Sequence, residues 1–135
     1  MVRDLKPSGQ EYAQAAALRE AIRAFQHHSD EITSASGLTA RTYQLLLMTK
    51  TARDGSQHVG LTELEERLHL GKSTVTELVL RTEKRGLVRR ELNRERGRGI
   101  AISLTPKGER SLAKAVLEHG DERRRLIEML ASLVE

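Results

Sequence analysis

The chain contains no cysteine. Disulfides, thiolate metal sites and thiol-based redox sensing are therefore excluded. Aromatic residues are nearly absent, with Tyr12, Phe25 and Tyr43 the full set. Proteins that hold single-stranded nucleic acid usually stack its bases on aromatic side chains, and none of these three lies near the basic region described below. If the partner is a nucleic acid, this composition favours duplex DNA. No apolar run approaches the roughly 20 residues needed to cross a bilayer. Residues 1–9 lack an apolar core and include Asp4, which is not the pattern of a signal peptide. The expectation is a cytoplasmic protein. No phosphate loop or dinucleotide fingerprint occurs, and Ser73 has no histidine or lysine base at a recognisable motif spacing. No residue is assigned a catalytic role, and the chain is expected to be a non-enzyme without cofactor or metal. Its histidines, His27, His28, His58, His69 and His119, are scattered. Adjacent helical residues such as His27 and His28 do not share a face, so solvated or capping roles are expected for the set.

What is present is basic charge in one place. The chain of 135 residues carries a formal net charge of +4, with a pI near 9.8. Its length suits one domain with a modest core. Between Lys72 and Arg98 there are nine basic and four acidic residues, a net +5, so all the excess positive charge belongs to one local unit. Such a concentration is the electrostatic footprint of a polyanion-binding surface.

Hydrophobic periodicity organises the chain around that unit. Residues 10–33 read as a helix, with Leu18, Ile22, Phe25 and Ile32 at helical spacing and many alanines. Gly37 is placed to end it. Thr39 caps a second helix running to about Ala52, and its Leu45-Leu46-Leu47-Met48 run is apolar almost all round, so burial is expected. Arg53-Asp54-Gly55-Ser56 is a turn, and His58-Val59-Gly60 a short extended segment. A third helix starts near Leu61 with Leu64 and Leu68 on its apolar face; Gly60 with Glu63 and Thr62 with Glu65 are equally good starts. After a turn at His69-Leu70-Gly71, a fourth helix from Lys72 to Arg85 buries Val75, Leu78 and Val79 and ends at Gly86. Residues 87–91 and 100–104 read as strands joined by a loop bearing Gly97 and Gly99. Thr105-Pro106 starts a fifth helix using Leu112, Val116 and Leu117. Gly120-Asp121 interrupts it, and residues 122–134 form a last helix with Leu126, Ile127, Leu130, Leu133 and Val134.

This order predicts a mainly α fold with a small β-hairpin, a winged helix-turn-helix flanked by long helices. Residues 39–104 form the expected DNA-binding lobe; residues 1–38 and 105–135 form a helical dimerisation region. The fourth helix is the recognition helix. With one face buried, its other face carries Lys72, Ser73, Thr74, Thr76, Glu77 and Arg81. Its hydroxyls suit bases or phosphates, Glu77 can accept from a cytosine amine, and Arg81 can pair with guanine or phosphate. The hairpin loop is the wing. Arg98, beside Gly99, is the first choice for minor-groove insertion, with Arg94 and Arg96 nearer the tip.

These residues resemble the MarR family of bacterial transcription regulators over residues 38–117. The resemblance rests on Leu61-Thr62-Glu63-Leu64, on Ser73-Thr74-Val75-Thr76-Glu77-Leu78-Val79, on Glu83-Lys84-Arg85-Gly86-Leu87-Val88-Arg89-Arg90 and on Leu104-Thr105-Pro106-Lys107-Gly108. It implies an obligate homodimer, with first and last helices interlocked, sitting on a pseudo-palindromic operator. It also implies repression relieved by a small molecule bound between the dimer helices and the lobe. Three positions depart from the family pattern. Arg96 stands where the wing usually has aspartate, Thr82 where the buried stripe usually has leucine, and Glu65 where a small residue is usual. Two uses of such a unit remain open: a sequence-specific DNA-binding regulator, or a winged helix whose arginines bind an acidic protein partner.

Overall fold

The computed structural model describes residues 5–92 and 99–134. Among the described residues, six helices and three short strands follow one another: α1 (Gly9–Ala35), α2 (Ala40–Lys50), β1 (Val59–Gly60), α3 (Leu61–Leu68), α4 (Lys72–Lys84), β2 (Val88–Leu92), β3 (Ile100–Leu104), α5 (Pro106–Glu118) and α6 (Gly120–Ser132). The strands form one antiparallel sheet in the order β1-β3-β2.

Local sequence accounts for most boundaries. Ser8 and Glu11 make a reciprocal capping box at the start of α1. Gly37, at φ +81°, follows its end. The Thr39 hydroxyl accepts from the Thr42 amide and starts α2. Of the two candidate starts for α3, Gly60 is the N-cap. The α3–α4 turn puts His69, not glycine, in the left-handed region at φ 55°, where histidine is tolerated better than most side chains. Gly71 is instead the extended N-cap of α4.

The core lies in the lobe. Leu45 and Leu46 of α2, Val59 of β1, Leu64 of α3, Val75, Leu78 and Val79 of α4, Val88 and Ile102 of the hairpin, and Leu112 and Ala115 of α5 form one cluster. Leu47 and Met48 are only half-buried, so α2 is not covered all round. Thr82 is buried among these apolar residues, and its hydroxyl donates to the Leu78 carbonyl oxygen at 2.7 Å. That bond satisfies the polar group where the family usually has leucine. Two expectations need correction. Leu117 is not a core residue but 79% exposed; the buried stripe of α5 runs through Leu112, Ala115 and Val116, and the next residue turns away from it. β3 does not alternate cleanly, since Ala101 and Ile102 are both buried. As the central strand, it leaves a methyl group between two neighbours little surface.

Two sequence motifs hold each other across the lobe. The Thr105 amide donates to the Leu87 carbonyl oxygen at 3.1 Å, its hydroxyl donates to that of Gly86, and Lys107 Nζ donates to that of Arg85 at 2.9 Å. The same hydroxyl accepts from the Gly108 amide and caps α5. Gly86, at φ +75°, makes the sharp exit from α4 that exposes these carbonyls. The Leu-Thr-Pro-Lys-Gly run thus docks onto the Arg-Gly-Leu exit of the recognition helix.

Outside the lobe, coverage is thin. Among described residues, α1 buries only Ala21 and Thr33, and α6 buries none. His119, between α5 and α6, is buried rather than solvated. Its Nδ1 lies 2.6 Å from the Ala115 carbonyl oxygen and its Nε2 3.2 Å from that of Ser29 in α1. Its ring stacks on Tyr43 of α2 with centroids 4.6 Å apart. Burial pushes the Tyr43 phenol above its ordinary pKa, partly offset by the positive charge of Arg123. These contacts seat the long helices on the lobe.

Candidate nucleic-acid interface

The surface is built on α4, and α3 holds it in place. Arg67 Nη1 donates to the Met48 and Thr51 carbonyl oxygens at 3.2 and 3.0 Å, and Nη2 to the Thr51 hydroxyl at 3.0 Å. One guanidinium therefore satisfies carbonyls at the end of α2, which every helix end leaves over. Glu63, one turn earlier, pairs with Arg67 at 2.9 Å and accepts from the Arg53 amide at 3.0 Å. Arg53 pairs in turn with Glu66 at 2.8 Å. This clamp ties α3 to the end of α2 and so aims α4. Sequence reasoning missed it; the i, i+4 spacing of Glu63 and Arg67 was the available signal.

α4 packs through Val75, Leu78, Val79 and Thr82, all buried to within 1%. Lys72, Ser73, Thr76, Glu77 and Arg81 are exposed, and Thr74 is half-buried. At about 100° per residue, the midline opposite the buried stripe passes through Ser73, Glu77, Leu80 and Lys84. Thr76 and Arg81 flank that midline, while Lys72 and Thr74 lie toward its sides. Leu80, which sequence reasoning passed over, is therefore a central residue of this face. In the middle of β2, Arg90 Nε donates to both carboxylate oxygens of Glu83 at 3.1 Å. That pair fastens β2 to the recognition helix and turns one of the counted cations inward to α4.

Leu92 and Ile100 are the last described pair of the hairpin. Arg94, Arg96 and Arg98, the expected wing residues, lie outside the described residues. At the hairpin root, a cleft of about 620 Å³ runs between Gly99–Ile100 and the start of α3, with Lys72, Glu63 and Glu65 on its walls. Glu65, one of the departures from the family pattern, thus borders the α4 entry. Among the described residues, no group of three or more His, Asp or Glu is placed to hold a metal ion, and no helix is long and apolar enough to cross a membrane.

Two helices meeting across a short turn, followed by a hairpin that packs on the second helix, define the winged helix-turn-helix class. Residues 36–99 match the sequence profile of the MarR family. Solved structures share the architecture beyond the matched lobe. AbsC, a MarR family transcriptional regulator from Streptomyces coelicolor, is 24% identical with a TM-score of 0.76, over 96% of this chain and 84% of that one. Sco3205, a MarR family transcriptional regulator from the same organism solved in complex with DNA, is 24% identical with a TM-score of 0.76, over 94% and 79%. CouR from Rhodococcus jostii RHA1, solved bound to p-coumaroyl-CoA, is 24% identical with a TM-score of 0.71, over 82% and 76%. No curated protein sequence matches the chain.

Proposed function

We propose that the protein is a sequence-specific, double-stranded DNA-binding transcription regulator that acts as a homodimer on a pseudo-palindromic operator. The observation that carries this reading is the outward face of α4, polar and basic along an otherwise buried helix. The DNA complex of Sco3205, which shares this fold, supports it. Ser73, Thr76, Glu77 and Arg81 are the base- and phosphate-facing groups of the recognition helix. Lys72 and Thr74 flank it at the phosphates, and Arg94, Arg96 and Arg98 serve the wing. Residues 39–104 form the DNA-binding lobe, and residues 1–38 with 105–135 the dimerisation region. Regulation is by repression, relieved by a small-molecule effector held between the dimer helices and the lobe. The p-coumaroyl-CoA complex of CouR lends support to an effector of that general kind.

The decisive experiment is a mobility shift with duplex DNA from upstream of the chain's own gene, followed by anisotropy titrations on the operator and a scrambled duplex. Replacing Thr76 or Arg81 by alanine is expected to cost about 1–3 kcal/mol on the operator and less on scrambled DNA, the mark of a base-edge contact. Equal losses on both duplexes would reduce these residues to phosphate contacts. Binding to an acidic protein surface with no affinity for any duplex would replace this reading with the alternative one.

Dimerisation rests on apolar surface that the single chain leaves open. On the terminal helices Ile127 is 61% exposed, Tyr12 64% and Leu18 39%, and Val134, just past the end of α6, is 86% exposed. Surface of this kind marks a protein interface. Deleting residues 122–135 is expected to dissociate or unfold the protein. A truncated chain that sediments as a folded dimer would exclude α6 from the interface.

A further inference from the structure

We propose that Leu80 is a base-reading residue that recognises the C5-methyl group of a thymine in the major groove. The inference rests on the DNA-binding reading of α4 and deepens it. Leu80 lies one turn after Thr76 and two turns after Ser73, on the midline of the outward face, and is 41% exposed. Its neighbours there are Ser73, Thr76, Glu77, Arg81 and Lys84, all exposed or polar. Beside it lies a hollow of about 30 Å³, lined by Leu61, Val79 and Ile100 together with Thr76, Arg90 and Leu80 itself. An apolar side chain and an apolar hollow of that size can together take one small apolar group. Among the base edges of the major groove, only thymine offers one, its methyl group. The surrounding cations and hydroxyls suit a duplex. Leu80 and this small hollow together fall short of the contiguous apolar area of a protein-binding patch. Leu80 accordingly selects thymine at one position in each half-site, while Glu77, one turn earlier on the same face, can accept from a cytosine amine nearby.

The test changes the DNA, so that protein folding cannot confuse it. An operator is selected from a randomised duplex pool with the full chain. Each thymine is then replaced singly by deoxyuridine, which removes only the methyl group. Affinities of the unaltered protein and of Leu80→Ala are measured by anisotropy on every duplex. At one thymine per half-site, deoxyuridine is expected to weaken the unaltered protein about fourfold, the worth of one buried methyl group. Leu80→Ala is expected to bind the thymine and deoxyuridine duplexes there equally. If both proteins respond alike to deoxyuridine at every thymine, Leu80 reads no methyl group and the inference is overturned, with DNA binding intact. If the full chain selects no duplex at any salt concentration, the DNA-binding reading itself fails and takes the inference with it.

Discussion

Raising salt from 50 to 200 mM is expected to weaken operator binding about 10³-fold or more. The reason is counterion release. Each phosphate neutralised by a lysine or arginine frees a condensed cation, and the slope of log affinity against log salt approaches −0.9 per contact. The window from Lys72 to Arg98 carries nine cations per chain. Not all of them face DNA: Arg90 is held by Glu83, and Arg85 donates to the Gly37 carbonyl oxygen at 2.7 Å. With those two engaged within the fold, roughly six to ten phosphate contacts per dimer is a fair count, which yields the loss stated. Anisotropy titrations at several salt concentrations measure the slope directly. A flat response would mean that the basic face does not sit on phosphates, and the acidic-partner reading would then gain.

Replacing Gly108 by alanine is expected to cost about 3 kcal/mol or more, because overpacking against a fixed backbone has no easy relief. A Cβ built at Gly108 runs into the Leu87 carbonyl oxygen and lies 3.0 Å from the Leu87 carbonyl carbon. No flexible side chain can swing aside there. The Leu87 carbonyl cannot retreat freely either, since it accepts from the Thr105 amide at 3.1 Å, and Leu87 is 2% exposed. Relief requires α5 to lift from the exit of α4. For a chain of this size the melting temperature is expected to fall by roughly 10 °C, as read by circular dichroism. Because the same contact positions the root of the recognition helix, operator affinity is expected to fall in the protein that remains folded. An alanine variant as stable as the parent would show that α5 does not approach Leu87 this closely.

This glycine marks how far the sequence was legible. The run Leu104-Thr105-Pro106-Lys107-Gly108 was recognisable as a piece of a family pattern, and Thr105 with Pro106 as a helix start. Nothing in spacing or composition says that Gly108 must lack a side chain because Leu87, more than twenty residues earlier, lies against it. The same holds for Arg67. Its pairing with Glu63 follows helical spacing, but its bonds to Met48 and Thr51 exist only because α3 crosses the end of α2. Leu117 was misplaced for a related reason. An apolar residue next to a buried stripe reads like part of it, and only the packed helix shows which way it turns. His119 caps the end of α5, one of the two roles expected of it, but its burial was not legible, since no local pattern signals that Ser29 and Tyr43 close over it.

The amino-acid sequence alone determined the element order, the caps at Thr39 and Thr105, the buried stripe of α4 and the concentration of basic charge. Each of these depends on neighbours within a few residues, through helical or strand periodicity, turn chemistry or simple counting. Tertiary structure decided the rest. It brought Leu61 and Ile100 to the hollow beside Leu80, bound Arg90 and Arg85 within the fold, buried His119 and set Gly108 against Leu87. These outcomes depend on which distant segments meet, and a side chain's surroundings across such a contact are fixed by packing rather than by its place in the chain.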